Sequence, residues 1–444
     1  MRNTILINKG HDLRISGVPK NHYAELMPLK NVCVMPSEFR SVKPKLIIKK
    51  DDKVKIGSPL FYDKNKPEVK WASPGCGTVK DIVFGPRRVI EKIEIKLDGN
   101  DALMNNEYNP SEIASLSKVE VLENILKSNL FPLIRQRPFN KVPDPNVVPR
   151  DIFISILNTA PMSVNLEPVI DNNIKAFQAG IDALSRITSG SVYISSGKTY
   201  NFKNAINQKI EGPHPAGNVG IQIHHIKPLK PNDLVWTLNA QNVITIGNLF
   251  LTGKYNPMIN INIGGPGASN PQVCVVNTGS SISDILKSQS LNKPVRLVSG
   301  DVLTGKQINK TDYLGYYDSS LSIISDEVDR PFMGMLSLGS SKTKYSLTNT
   351  FLNFGSQLFD FNTAQKGELR PMVPLGAWEK VLPMDIYPNH LYRSILAEDI
   401  EEMEELGIWE CDDEDFALCS FACPSKIDVG KVIRQGLDLI EADS

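Results

Sequence analysis

From Arg150 onward the chain alternates between short apolar runs and longer stretches with one apolar helical face, and this alternation restricts the fold more than any other feature. DIFISIL (151–157) has the composition of a buried strand. Ile174, Phe177, Ile181 and Leu184 then recur at helical spacing, and SVYISSG (191–197) is strand-like again, with GIQIHHIKP and NVITIGNLFLTG continuing the series. A strand reaches a parallel neighbour only through a crossover, so the pattern implies an α/β layer built on a parallel sheet.

Residues 30–98 have a different texture. LIIKK, KVKIGSPLFY, GTVKDIVFG and KIEIKL are short β segments punctuated by Gly, Pro and Asp. A helix is expected over 112–128, where Ile113, Leu116, Val119, Leu122 and Ile125 recur every three residues, and a Pro-rich passage comes after it. After NIGGPGASNP the chain becomes short and β-rich to about residue 328, with one helix near SISDILKS. The remainder reads as mostly helical, its clearest helix running from about 390 to 406 and stopping at Gly407. At 444 residues the chain is long enough for about three domains of ~150 residues each.

Charge excludes some function classes. Lys+Arg and Asp+Glu both number 49, so the chain is no general polyanion binder and nucleic acid is not an expected partner. The charge is segregated, with fourteen Lys/Arg against six Asp/Glu from Arg40 to Lys92, and eleven acids without a single Lys or Arg from Ser394 to Ser425. These stretches are either two solvated faces or surfaces that dock on partners or on each other. Apolar runs such as Ile221 to Ile226 are far below the about 20 residues of a membrane span, and MRNTILINKG lacks a signal-peptide core, so a cytosolic protein is expected.

Several motifs suggest chemistry and fail in context. Gly300–Lys306 (GDVLTGK) matches the first seven positions of a phosphate loop, but Gln307 stands where a magnesium-ligating Ser or Thr belongs and no helix pattern comes after it; a β-turn is expected. NIGGPGASNP lacks dinucleotide-binding spacing and reads as a loop. Val54 to Val79 has the spacing of a biotinyl/lipoyl hairpin with Lys66 at the carrier position, yet its neighbours Asn65 and Pro67 are wrong for a modifying ligase. Cys411, Cys419 and Cys423-Pro424 keep only the second half of a ferredoxin run, since Asp413 and Phe416 occupy the earlier positions, and they read as core cysteines. His214, fixed between Pro213 and Pro215, presents an imidazole on a stiff turn and is either structural or a ligand contact. No metal site is expected.

GPHPAG, RQRPFNKVP, VRLVSGDVLTG, RPMVPLGAWEKVLPMDI and EDFALCSFACPSKIDVG together resemble the NqrA family, the first component of the Na+-translocating NADH:quinone reductase, along essentially the whole chain. The resemblance implies an α/β multidomain fold: a barrel-sandwich (biotinyl/lipoyl-like) domain over 1–105, a Rossmann-like domain over 106–257, a β-grasp (SLBB-type) domain over 258–330 and a helical C-terminal domain over 331–444. Relatives carry a glycine-rich flavin and nucleotide loop where this chain reads SNLFPLIRQRPFNKVP, with no glycine, so it is expected to bind no cofactor itself. The resemblance further implies a peripheral subunit on the cytoplasmic face of the bacterial inner membrane, with five partner subunits that hold the flavins and the iron–sulfur centre. Ubiquinone is the implied substrate and sodium export the coupled process. A quinone needs an apolar slot with carbonyl-polarising donors, and Phe131, Arg135, Arg137, Phe139 and His214 are the candidates. The competing expectation is a docking subunit without its own ligand that caps the membrane part.

Overall fold

The computed structural model of the chain describes residues 4–23, 26–327, 332, 333, 336, 342, 344–347 and 357–443. The start of the expected helical domain therefore lies largely outside the described residues. The described residues form the α/β multidomain architecture expected, built on several sheets.

The α/β layer is a six-stranded sheet in the order Thr4–Leu6, Ile206–Glu211, Val192–Ser196, Ile152–Ser155, Val235–Asn239, Arg135–Arg137. All neighbours are parallel except Arg135–Arg137, which runs antiparallel to Val235–Asn239 at one edge. Ile152, Ile154, Trp236 and Leu238 enter the largest core with Phe177, Val243 and Ile246, while Phe153 and Val235 join Ile223 and Leu229 in a separate cluster. Alternating side chains thus serve both faces, as a doubly covered sheet requires. GIQIHHIKP and NVITIGNLFLTG form the helices Val219–Ile226 and Ala240–Thr252. The second starts where the Asn239 side chain accepts from Gln241 N and stops at Gly253 with φ 63°. It lies backbone to backbone on Ile174–Leu184: a Cβ on Gly247 would sit 1.7 Å from Ala176 O.

Residues 31–99 supply a four-stranded and a three-stranded sheet that share a core, with Phe61 stacked on Trp71 at 4.6 Å. The first two strands of the chain leave this unit: Thr4–Leu6 edges the α/β sheet, and Lys20–Tyr23 pairs with Gln272–Asn277. The latter belongs to a mixed six-stranded sheet that also holds Met258–Gly264, Val295–Ser299, Lys306–Ile308 and Ser320–Ser325. C-terminal helices span Pro388–Ala397, Ile400–Glu405, Ala417–Ala422 and Val429–Asp443.

Two expected helices are each split. The stretch 112–128 becomes Pro110–Ile113 and Lys118–Lys127, because Ser117 and Glu120 form a capping box that starts a new helix. The stretch 390–406 breaks at Glu398, which is left-handed at φ 57°, and Asp399 then caps Ile400–Glu405. Periodicity runs through both breaks and cannot reveal them. Residues 364–387 are mostly irregular rather than helical, with Pro371, Pro374 and Pro383 removing amide donors.

Candidate functional site

In an open α/β sheet, ligands enter the crevice beyond the carboxyl ends of the strands, at the point where the strand order reverses. Here that point lies between Ile152–Ser155 and Val235–Asn239. A cavity of about 1150 Å³ opens there. Ser155, Asn158, Asn239 and Gly217 line it from the α/β unit, Glu38 and Arg40 from the barrel-sandwich, the hairpin loop Gly300–Lys306 from the mixed sheet, and Glu414 from the helical unit. Its size would hold a ligand of drug or cofactor dimensions.

His214 is 2% exposed and lines this cavity. Its N–H donates to Asp12 Oδ1 at 2.8 Å, and its carbonyl accepts from His11 N. Thr159 Oγ1 accepts the Gly217 N–H at 2.8 Å and lies 3.2 Å from His214 Nδ1. If the hydroxyl donates to Nδ1, the ring proton sits on Nε2. Nε2 is buried and has no partner among the described residues. Burial lowers the pKa of His214, against the opposing pull of Asp301, so the ring is neutral at pH 7.

Arg135 is half-buried on the edge strand, with its guanidinium 4.7 Å over the Tyr317 ring. Tyr317 Oη donates to Pro132 O at 2.7 Å, which fixes the ring under the cation. Arg135 therefore reaches the cavity on an aromatic support.

Arg137 also lines the cavity, but its guanidinium is committed elsewhere. It is 3% exposed and pairs with Asp412 at 2.9 Å and with Glu414. Arg434 pairs with Asp412 and Asp413, and Arg40 with Asp413 at 2.8 Å. The basic front and the acidic tail thus meet within the chain, through Arg40. Burial pushes the Asp412 carboxyl up to about 6 against the pull of Arg137.

Phe131 and Phe139 do not line the cavity. Phe131 is buried edge-on against Trp236 at 5.7 Å, and Phe139 packs edge-on against Trp409 at 5.8 Å. The five sequence candidates thus divide: Arg135 and His214 meet at the cavity, Arg137 turns to the acidic cluster, and the two phenylalanines are core. Sequence reasoning missed Glu38, Thr159 and the adjacent Tyr317 and Asp318, which come from three units and carry no shared motif. It did single out GDVLTGK, which is the hairpin loop between the antiparallel strands Val295–Ser299 and Lys306–Ile308 and forms one cavity wall.

The three remaining motifs sit in structural places. NIGGPGASNP joins the antiparallel strands Met258–Gly264 and Gln272–Asn277, and Lys66 opens the strand Lys66–Ala72. Cys411, Cys419 and Cys423 are buried in the core of the helical unit. Burial raises the first two thiols, Cys411 well above its ordinary value, which opposes the thiolate form a cluster needs.

Residues 5–98 match the NqrA N-terminal barrel-sandwich hybrid domain, 116–255 the NqrA second alpha/beta domain, and 260–310 the NQRA C-terminal domain. The NqrA component of the Na(+)-translocating NADH-quinone reductase from Saccharophagus degradans is 35% identical over 99% of this chain and 100% of its own length. The chain belongs to the NqrA family. The Pasteurella multocida and Histophilus somni members are 35% and 36% identical over the same shares. The crystal structure of an NAD+-reducing [NiFe]-hydrogenase in the H2-reduced state superposes with a TM-score of 0.34 at 9% identity over 49% of each chain. That likeness is too slight to carry an argument. An NqrA chain works as one subunit of a complex, and among the described residues no helix is long and apolar enough to cross a membrane.

Proposed function

We propose that the chain contributes to ubiquinone binding and its reduction to ubiquinol, coupled to sodium export, as a peripheral subunit on the cytoplasmic face of the bacterial inner membrane. The quinone ring sits in the switch-point cavity between Arg135 and His214. One observation supports this most: His214 Nε2 is a buried ring nitrogen without a partner among the described residues, on the wall of a cavity that Arg135, held over Tyr317, also lines. A quinone carries two carbonyl acceptors across a flat ring and needs a donor at each. An unpaired buried donor costs about 1–3 kcal/mol, which such a ligand would recover. Leu133, Leu157, Leu166 and Ile259 offer apolar wall. Electrons reach the quinone from NADH through flavins and an iron–sulfur centre on partner subunits, and of the five partners the chain docks chiefly on the membrane subunit at the quinone site. In the same reading the chain divides near residues 105, 257 and 330.

The competing reading, a docking subunit without its own ligand, draws on one observation. Leu369, Val373 and Leu375 stand exposed on an irregular segment, at 73%, 53% and 64%. Binding of a short-tailed ubiquinone analogue to the isolated chain separates the two. Saturable binding at about micromolar Kd, lost in Arg135→Ala, is expected; binding only in the presence of membrane subunits favours docking.

A further inference from the structure

Two carboxyl groups from different units converge on the cavity wall. Glu38 ends the turn Pro36–Glu38, and its Oε2 accepts from Tyr316 N at 2.9 Å. Asp318 precedes the strand Ser320–Ser325, and its Oδ2 accepts from Ser299 Oγ at 2.6 Å. Asp318 Oδ2 and Glu38 Oε1 lie 2.3 and 3.2 Å from the point where a side chain on Gly315 would begin. The two oxygens are therefore no more than 5.5 Å apart, close enough that the charge of one carboxylate disfavours ionisation of the other.

The surroundings support that. Burial pushes Glu38 up to about 7, opposed by the Tyr316 N–H and by Lys306 and reinforced by Asp318. Burial also raises Asp318, with Asp301 adding and Ser299, Arg135 and Lys306 opposing. Asp301 acts on His214 as well as on Asp318, and His214 also feels Asp12 and Glu414. Two further side chains are open to a ligand here. His214 Nε2 and Tyr316 Oη are buried without partners among the described residues, on residues 2% and 7% exposed that line this same cavity.

We propose that Glu38 and Asp318 form a coupled carboxyl pair whose protonated member, Glu38, donates a hydrogen bond, and on reduction a proton, to an oxygen of the quinone in the cavity. The inference rests on the quinone reading above. In the transfer, the carboxylic O–H bond breaks as an O–H bond forms on the reduced quinone oxygen. The two electrons come from NADH through the complex, and the emptied carboxylate recovers its proton from water.

Two measurements on the full chain test this. The first is an infrared titration of the carboxyl groups without quinone, comparing the chain with Glu38→Gln and Asp318→Asn. A carboxyl that titrates near the neutral value expected for Glu38, vanishes in Glu38→Gln and shifts down in Asp318→Asn supports the pair. Titration of every carboxyl in the ordinary range, about pH 4, overturns it whatever the quinone does. The second is calorimetric binding of the ubiquinone analogue. Affinity is expected to fall about tenfold as pH rises from about 6 to about 8.5, and to stay flat in Glu38→Gln, which keeps the acceptor for Tyr316 N and should fold. Binding with the same pH dependence in both proteins overturns the donor role. An intact near-neutral titration with no binding at all refutes the quinone reading instead, and the transfer step falls with it.

Discussion

Replacing Arg137 with methionine isolates the charge that holds the acidic segment 412–415 in place, because methionine keeps most of the volume. Arg137 is 3% exposed, and its partners Asp412 and Asp415 are fully buried. Breaking a buried pair by removing one partner costs about 3–5 kcal/mol, mainly by leaving a charge unpaired. Asp412 and Asp415 already stand raised, pushed up by burial and restrained by Arg137. Without Arg137 both rise further above their unfolded values. An acid whose folded pKa is raised binds more protons folded than unfolded, so stability falls as pH climbs through the window between the two values. The penalty of Arg137→Met should therefore approach its full size at pH about 7.5 and shrink below about half of it near pH 5, where both acids are neutral. Urea denaturation followed by circular dichroism at the two pH values gives the comparison. A loss under about 1 kcal/mol, or one equal at both pH values, would refute the reasoning about buried charge.

Gly247→Ala should destabilise by at least about 3 kcal/mol, since its Cβ would meet the Ala176 carbonyl at 1.7 Å and the clash is with backbone; an unchanged melting temperature would contradict the packing. Tyr317→Leu should weaken analogue binding by about 0.5–2 kcal/mol through loss of the support under Arg135, with stability measured in parallel. The purified chain is expected to be colourless and to bind no NADH by calorimetry, because the stretch 128–143 has no glycine for a flavin loop and burial keeps the Cys411 and Cys419 thiols protonated; near-stoichiometric flavin absorbance would count against both arguments.

Much of the layer structure was legible because it rests on local periodicity. Ile152 to Ser155 and Ile174 to Leu184 announce themselves by composition and spacing. Helix breaks were not legible, since Asp399 as a cap and Glu398 as a left-handed residue leave Ile395, Ile400 and Met403 in phase. Nor was the destination of the first strands, because nothing in Thr4–Leu6 specifies a partner about 200 residues away. The candidate site divided along the same line. His214 was visible through its two flanking prolines, and Arg135 and Arg137 through their place in a Pro-rich passage. Only tertiary structure separates two arginines two positions apart on one strand, sending one over Tyr317 and the other to Asp412. Glu38 and Asp318 lie 280 positions apart, and only the docking of their units brings them together over Gly315.

The most direct measurement is a crystal structure of the full chain soaked with a short-tailed ubiquinone analogue. The account predicts density for the quinone ring in the switch-point cavity, with one carbonyl at hydrogen-bond distance from His214 Nε2 and the ring near Arg135. An empty cavity at saturating analogue, or density only elsewhere on the chain, would contradict it.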